Sequence, residues 1–254
     1  MPIALLTDFG TRDYYVGAMK GVILSINPDA SIVDITHEIE PQDIVSAAFI
    51  LRACYRDFPV DTIFLCVVDP GVGSQRRAII VQTEKHLFVG PDNGLSSFVL
   101  NKHTTVHAIE NEQYFCQPVS FTFHGRDIFA PVAAHLAKGV EPARFGPQIS
   151  DPVILPDIHP WQINEDTIEG TVIHVDRFGN LVTNLPAGLA DRIDEIAIAE
   201  TRVTQLERSY AQAKSNQPFA IVGSAGFIEI SVNRGSAAEV LKSSFGTKVT
   251  VRLK

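Results

Sequence analysis

Thr62-Ile63-Phe64-Leu65-Cys66-Val67-Val68-Asp69-Pro70-Gly71-Val72-Gly73-Ser74-Gln75-Arg76-Arg77 passes from an unbroken apolar segment into a carboxylate, a Pro-Gly turn and two arginines. An apolar run of this length, rich in β-branched residues, is the pattern of a strand covered on both faces, as in a parallel sheet flanked by helices. Open α/β sheets take their ligands beyond the carboxyl ends of the strands, and Asp69 falls at that end. Asp-Pro-Gly equally suits a plain tight turn, so the stretch by itself marks a strand end and leaves its use open.

Upstream, Ile3 to Leu6 reads as a first strand, and Thr7-Asp8-Phe9-Gly10-Thr11-Arg12-Asp13 as a polar loop carrying two useful carboxylates. Tyr15 to Ile26 has helical apolar spacing, with Asp13 a candidate N-cap, and Asn27-Pro28-Asp29 ends it. Ser31 to Ile35 is a second strand, followed by a heavily buried helix from about Gln42 to Tyr55. Downstream, Ala78 to Val81 and His86 to Val89 are strands, the latter ending at Gly90-Pro91-Asp92-Asn93-Gly94. Successive units ending in acidic, glycine-containing loops predict an α/β domain with a largely parallel sheet and a site along one edge. Val119 to Asp127 contains Phe123-His124-Gly125-Arg126-Asp127 and leads into a helix from about Ile128 to Ala137, with His124 in the entry loop.

Beyond Gly139 the texture becomes proline-rich, and later segments are short strands separated by turns, the pattern of a small β-rich barrel or sandwich. The expected organisation is an α/β domain over residues 1–150, a Pro-rich linker over 151–165 and a smaller β-barrel domain over 166–254. Two loops of the second half carry polar chemistry: Asp176-Arg177-Phe178-Gly179-Asn180 and Asn233-Arg234-Gly235-Ser236-Ala237-Ala238. Each also fits an ordinary hairpin connection.

Composition narrows the partners. The chain has 254 residues, 45% of them hydrophobic and 20% charged, which fits a soluble globular protein with a sizeable core. A net charge of −8, without any Lys/Arg cluster, disfavours nucleic acid or an anionic membrane and suits a cationic small molecule. No signal peptide is evident at the start, and no apolar run reaches the roughly 20 residues of a membrane span. Cys54, Cys66 and Cys116 are odd in number, widely spaced and set among apolar neighbours, so they read as buried thiols of a reducing, cytoplasmic compartment.

Taken in order, Thr7-Asp8-Phe9-Gly10, Asp69-Pro70-Gly71-Val72-Gly73 with Arg76, Phe123 to Asp127, Asp176 to Asn180, and Asn233-Arg234-Gly235 resemble one family. It is the S-adenosylmethionine hydroxide adenosyltransferases, hydrolase relatives of the fluorinase and chlorinase enzymes, and the likeness spans nearly the whole chain. The resemblance implies an N-terminal α/β domain, a C-terminal β-barrel domain and a homotrimer with active sites between subunits. It also implies hydrolysis of S-adenosylmethionine to adenosine and methionine, with no cofactor. By position, Asp69, Arg76 and His124 resemble the set that handles the nucleophilic water, with Arg77 a one-residue alternative to Arg76. Asp8 resembles the carboxylate that grips the ribose hydroxyls, and Asp13 and Asp176 the groups that hold the methionine ammonium. Phe178, Asn180 and Ala237 resemble adenine contacts, and Asn233 and Arg234 the pair that meets the methionine carboxylate.

These residue types suit the implied reaction. A sulfonium leaves as a neutral thioether, so no general acid is needed; what is needed is a good nucleophile in line with the C–S bond. Water has a pKa of about 15.7 and an ordinary Asp about 3.9, so positive charge near the developing hydroxide is required, as Arg76 would supply. The same arginine would repel a divalent ion, and no metal is expected. Three rivals stand beside this reading: a halide-using enzyme on the same scaffold, a non-catalytic binder of adenosine or S-adenosylmethionine, and a metal-dependent hydrolase using Asp8, His37, Asp69 and His124. Asp69 disfavours the first, because the halide-using relatives have tyrosine there and lack the histidine, and a carboxylate beside a desolvated halide costs several kcal/mol.

Overall fold

The computed structural model describes residues 1–156 and 158–254. They divide into two compact units, Met1–Leu155 and Pro156–Lys254. The first is built from β1 (Ile3–Thr7), α1 (Tyr15–Ile26), β2 (Ile32–Thr36), α2 (Ile44–Cys54), β3 (Thr62–Val67), β4 (Ala78–Gln82), β5 (His86–Pro91), β6 (Thr105–Ala108), α3 (Ala130–Ala137) and β7 (Gln148–Ile149). Every residue of β1, β3 and β5 is buried, as runs without polar alternation demand. Ile63, Leu65 and Val67 face the core shared with α1 and α3, while Phe64 and Cys66 face the side covered by α2. Asp43 caps α2 by accepting from the Ser46 amide at 2.9 Å. At α1 the N-cap is Tyr14, without a side-chain hydrogen bond, so Asp13 is not the cap expected of it.

The strand order is β2-β1-β3-β5-β4-β6-β7. The pairs β2/β1, β1/β3 and β3/β5 are parallel, whereas β5/β4, β4/β6 and β6/β7 are antiparallel. The sheet is therefore mixed and only half parallel. The reason is local: Thr83 to His86 closes β4 onto β5 as a tight hairpin, with the Thr83 hydroxyl accepting from the His86 amide at 3.0 Å. A two-residue turn permits only antiparallel pairing. The edge strand β2 carries Asp34, which accepts from Lys20 of α1 at 2.6 Å.

Residues 151–155, expected within a linker, are tied to the first unit. Arg77 donates to Asp151 at 2.8 Å, the Val153 amide to Asp92 at 2.8 Å, and the Leu155 amide to the Ser97 hydroxyl at 2.8 Å. Trp161–Asn164, also expected there, is strand β8, paired antiparallel with β9 (Thr167–Val175). The second unit continues with β10 (Leu181–Pro186), β11 (Ile193–Ile198), β12 (Thr201–Val203), β13 (Leu206–Glu207), β14 (Pro218–Val222), β15 (Phe227–Val232), α4 (Ala237–Leu241) and β16 (Lys248–Leu253). Its sheet runs β12-β11-β16-β9-β10-β15-β14-β13 and curls until β12 lies against β14, around a core that includes Val172, Leu181, Ile196, Ile228 and Val251. The whole is a mixed α/β fold with two sheets.

Gly90 shows how tightly β3 and β5 approach beneath the loop that begins at Val68. A Cβ on Gly90 would lie 2.3 Å from the Cys66 carbonyl oxygen. Gly90→Ala is expected to destabilise the protein by about 1–3 kcal/mol, the range for forcing extra volume into a packed core. Urea denaturation of the two proteins measures it; an unchanged midpoint would refute the close approach.

Candidate active site

Three loops converge at the carboxyl ends of β1 and β3. The chain leaves β3 through Asp69, turns at Pro70-Gly71, and returns so that Arg76 folds back over Asp69. The Arg76 Nε donates to Asp69 Oδ1 at 2.9 Å and Nη2 to Oδ2, a bidentate pair with both side chains almost fully buried. The same Nη2 lies 2.7 Å from His124 Nδ1, and the guanidinium carbon sits 5.2 Å from the centre of the Phe129 ring. Asp69, Arg76 and His124 thus form one contiguous cluster. Arg77 points elsewhere, donating to Asp92 at 2.8 Å and to Asp151, so of the two neighbouring arginines it is Arg76 that joins the cluster.

An arginine offers donors and no acceptor, so His124 Nδ1 must present its lone pair, and the proton of the neutral ring lies on Nε2. Burial, with the Arg76 charge beside it, holds His124 below the usual histidine value, against the opposing pull of Asp69 and Asp127. The ring is therefore neutral at pH 7 and offers an N–H donor next to a carboxylate and a guanidinium.

His124 is carried on the entry to α3, but the helix does not begin as expected near Ile128. Gly125 to Phe129 forms a π-helical turn, the widened geometry that often occurs at functional sites. Asp127, buried within it, accepts from the Ser120 amide at 2.8 Å and from Arg126 Nε at 2.6 Å. It thereby ties the 120–124 segment to the helix start. Gly73, with φ +76°, rests on that segment: a Cβ there would lie 2.3 Å from the Phe121 carbonyl oxygen. The positioning roles of Asp127 and Gly73 are ones that sequence reasoning did not assign, although the apolar setting of an Asp in Gly-Arg-Asp-Ile-Phe was the available signal for the first.

Asp8, after β1, accepts from the Gln42 amide at 2.8 Å. Burial, the largest influence, raises its pKa above the ordinary carboxylate value, which makes it a stronger acceptor for hydroxyl donors. Asp8, Phe9, Gln42, Asp69 and Val72 line one cavity of about 380 Å³. Asp13 is exposed on the loop before α1. His37, a member of the metal-dependent alternative, is instead bonded to the Thr7 hydroxyl at 2.8 Å and faces Asp34.

In the second unit, Asp176 folds its own loop: Oδ1 accepts from the Phe178 and Asn180 amides at 2.9 Å each, and Oδ2 from the Asn180 side chain at 2.8 Å. Phe178 is left 77% exposed, and Asn180 is buried. Gly179, at φ +80°, lies against Ser236, the cap of α4, and the Ala238 amide donates to the Gly179 carbonyl at 3.0 Å. The loops 176–180 and 233–238 are thus one structure, with Ala237 buried beneath it. Asn233 donates to the Ala213 carbonyl at 2.9 Å, and Arg234 is exposed at φ +61°. Sequence reasoning missed Glu229 and Tyr210. Glu229 is buried on β15, accepts from the Tyr210 hydroxyl at 3.1 Å, and is pushed up by burial with a further contribution from Asp176. Burial likewise pushes Tyr210 up to about 12. A charged residue inside the apolar strand Phe227-Ile228-Glu229-Ile230 was the readable sign.

Residues 3–146 match the family model described as the SAM hydroxide adenosyltransferase N-terminal domain, and residues 170–250 match its C-terminal domain. A protein of Thermus thermophilus named (R)-S-adenosyl-L-methionine hydrolase is 37% identical over 98% of both chains. One of the same name from Methanocaldococcus jannaschii is 34% identical over 98% of this chain and 95% of the other. The crystal structure of an uncharacterized conserved protein from Thermotoga maritima superposes with a TM-score of 0.89 at 38% identity, covering 98% of this chain and 99% of the other.

Protonating His124 would place a proton on Nδ1 opposite Arg76 and break the cluster. Its folded pKa lies below the unfolded value of 6.5, so its contribution to stability is fully present above pH 6.5 and is lost as pH falls through the folded value. Activity is expected to show an acidic limb below pH 6.5 that disappears in His124→Asn, alongside a loss of about a hundredfold in rate. An unchanged limb in that variant would assign it to another group.

Proposed function

Because the chain belongs to the SAM hydroxide adenosyltransferase family, we propose that it hydrolyses S-adenosyl-L-methionine to adenosine and L-methionine, with the cluster of Asp69, Arg76 and His124 holding and activating the water. The observation that carries this reading is Arg76 bonded at once to Asp69 and to His124 Nδ1, at the mouth where β1 and β3 end. Water bonded to Asp69 and to His124 Nε2–H would be aimed by an acceptor and a donor. As its oxygen forms the bond to C5′, its proton passes to Asp69, and the C5′–S electron pair leaves on sulfur as the neutral thioether of methionine. Arg76 offsets the negative charge that develops on the oxygen. Holding the two reactants in line can lower the barrier by roughly 7–11 kcal/mol.

Asp8 takes the ribose hydroxyls in this proposal, consistent with its cavity and raised pKa. Asp13 and Asp176 take the methionine ammonium, with Glu229 adding negative charge near Asp176. Phe178, Asn180 and the Ala237 segment take adenine, while Asn233 and Arg234 take the methionine carboxylate. No cofactor or metal is assigned a step. The relatives are named for the (R) form, and that sulfonium epimer is the proposed preferred substrate. A halide in place of water would be opposed by the buried Asp69 carboxylate.

Turnover of the (R) epimer in oxygen-18 water, with chelator and high chloride, is expected to label the 5′-hydroxyl of adenosine, to yield no chlorinated nucleoside and to exceed turnover of the (S) epimer. Asp69→Ala should lose about a hundredfold or more in rate while still binding adenosine. Label in methionine, or a halogenated product, would overturn the reading.

The proposed residues fall on two units of the chain, and a homotrimer in which neighbouring copies share each site follows the family pattern. Head-to-tail contacts of that kind close into rings. Co-expressing His124→Ala and Arg234→Ala chains is then expected to restore roughly a quarter of wild-type activity, because random mixing leaves that share of sites intact. Mixed oligomers without recovered activity would refute shared sites.

A further inference from the structure

A second concavity lies at the opposite end of the first unit's sheet. Its volume is about 500 Å³, larger than the cavity at Asp8 and Asp69, and it is bounded by the start of β5, the β4–β5 turn, the segment after α2 and the loop before β6. Since β3 is six residues long, this cleft is roughly 20 Å from the Asp69 cluster. None of the catalytic or substrate residues above lines it.

Three features of the cleft lack an internal explanation. Arg56 and Lys85 stand at it without an ion pair among the described residues; Arg56 donates only to the Tyr55 hydroxyl, at 3.0 Å, with its guanidinium 5.5 Å from that ring's centre. The lining thus carries Arg56 and Lys85, with His103 beside them, against the one carboxylate Glu84, while Asp61 acts on His86 from nearby. The wall is aromatic: Tyr55, Phe58 and the ring of His86, which packs edge-on against Tyr55 and Phe64. Finally, His86 lines the cleft while being largely buried, and its Nδ1, itself shielded from solvent, has no hydrogen-bond partner in the protein.

We propose that this cleft is a second ligand site, taking a small planar organic anion whose ring lies against Tyr55 and Phe58 while its phosphate or carboxylate meets Arg56, Lys85 and His103. Glu84 also lines the cleft and opposes an anion, so the anionic group is held at the Arg56 and Lys85 side. The volume is in the range of small-molecule pockets. Bidentate and point-charge donors side by side, with flat apolar area between them, are the complement of a ring bearing one anionic group.

Phenyl phosphate is the probe, with inorganic phosphate and benzyl alcohol as its separate halves. Phosphorus and proton NMR titrations of the full chain are expected to give sub-millimolar binding of phenyl phosphate, at least tenfold tighter than either half. Histidine ring resonances of His86 and His103, assigned through His103→Ala, should move. Arg56→Ala with Lys85→Ala, both at exposed positions, should weaken it tenfold or more without altering hydrolysis, and saturating adenosine should leave it unchanged. Binding no tighter than inorganic phosphate, insensitivity to the double substitution, or displacement by adenosine would each overturn the proposal.

Discussion

A guanidinium can only donate, and the first unit's site is arranged around that constraint. Arg76 lies between a carboxylate, which must accept, and an imidazole, which is thereby obliged to accept on Nδ1 and to donate from Nε2. One side chain so holds one neighbour in a bidentate pair and sets the tautomer of the other. Lysine could supply the charge but not the fork that spans both partners. The arrangement also accounts for the burial of the cluster, since a buried cation is tolerated only when paired and hydrogen-bonded.

Holding Arg76 there depends on backbone features with no chemistry of their own. Gly90 lets β5 run close against β3, so the loop starting at Val68 leaves from a rigid edge. Gly73 allows the returning loop to rest on the Phe121 carbonyl, and Asp127 secures that segment to the widened first turn before α3. Of these contacts, that of Gly73 with Phe121 joins the loop bearing Arg76 to the loop bearing His124, two side chains 48 residues apart in the chain. In the second unit, Asp176 plays an analogous part, gathering Phe178 and Asn180 around itself while Gly179 admits Ser236.

Much of this was legible in the residues. The strand Thr62–Val67 announced itself by its unbroken apolar run, and Tyr15–Ile26 by its spacing, because burial on two faces and on one face leave different periodicities. The resemblance named Asp69, Arg76 and His124 together, and the structure brings these three side chains into contact, whereas the hydrogen bonds that assign the histidine tautomer were not legible. The mixed sheet was missed because a buried antiparallel strand such as Ala78–Gln82 carries the same apolar composition as a parallel one; only the short Glu84-Lys85 turn tells them apart. Proline content suggested a free connector, yet Asp151, Val153 and Leu155 are bonded to the first unit through partners far away in the chain, which no local pattern reveals. Glu229 escaped for a similar reason: its burial depends on Gly223, whose missing side chain leaves room for its carboxylate.

The open edge of the first sheet carries a consequence of a different kind. β2 reads Ile-Val-Asp-Ile-Thr, and on one side its backbone groups have no partner strand among the described residues. An apolar edge of that length is a template on which another chain can add a strand. Asp34, in the middle of it and joined to Lys20, places a charge where an incoming strand would have to desolvate it. A charged pair at that position raises the cost of adding a strand there, which is how an edge is kept from pairing with another chain.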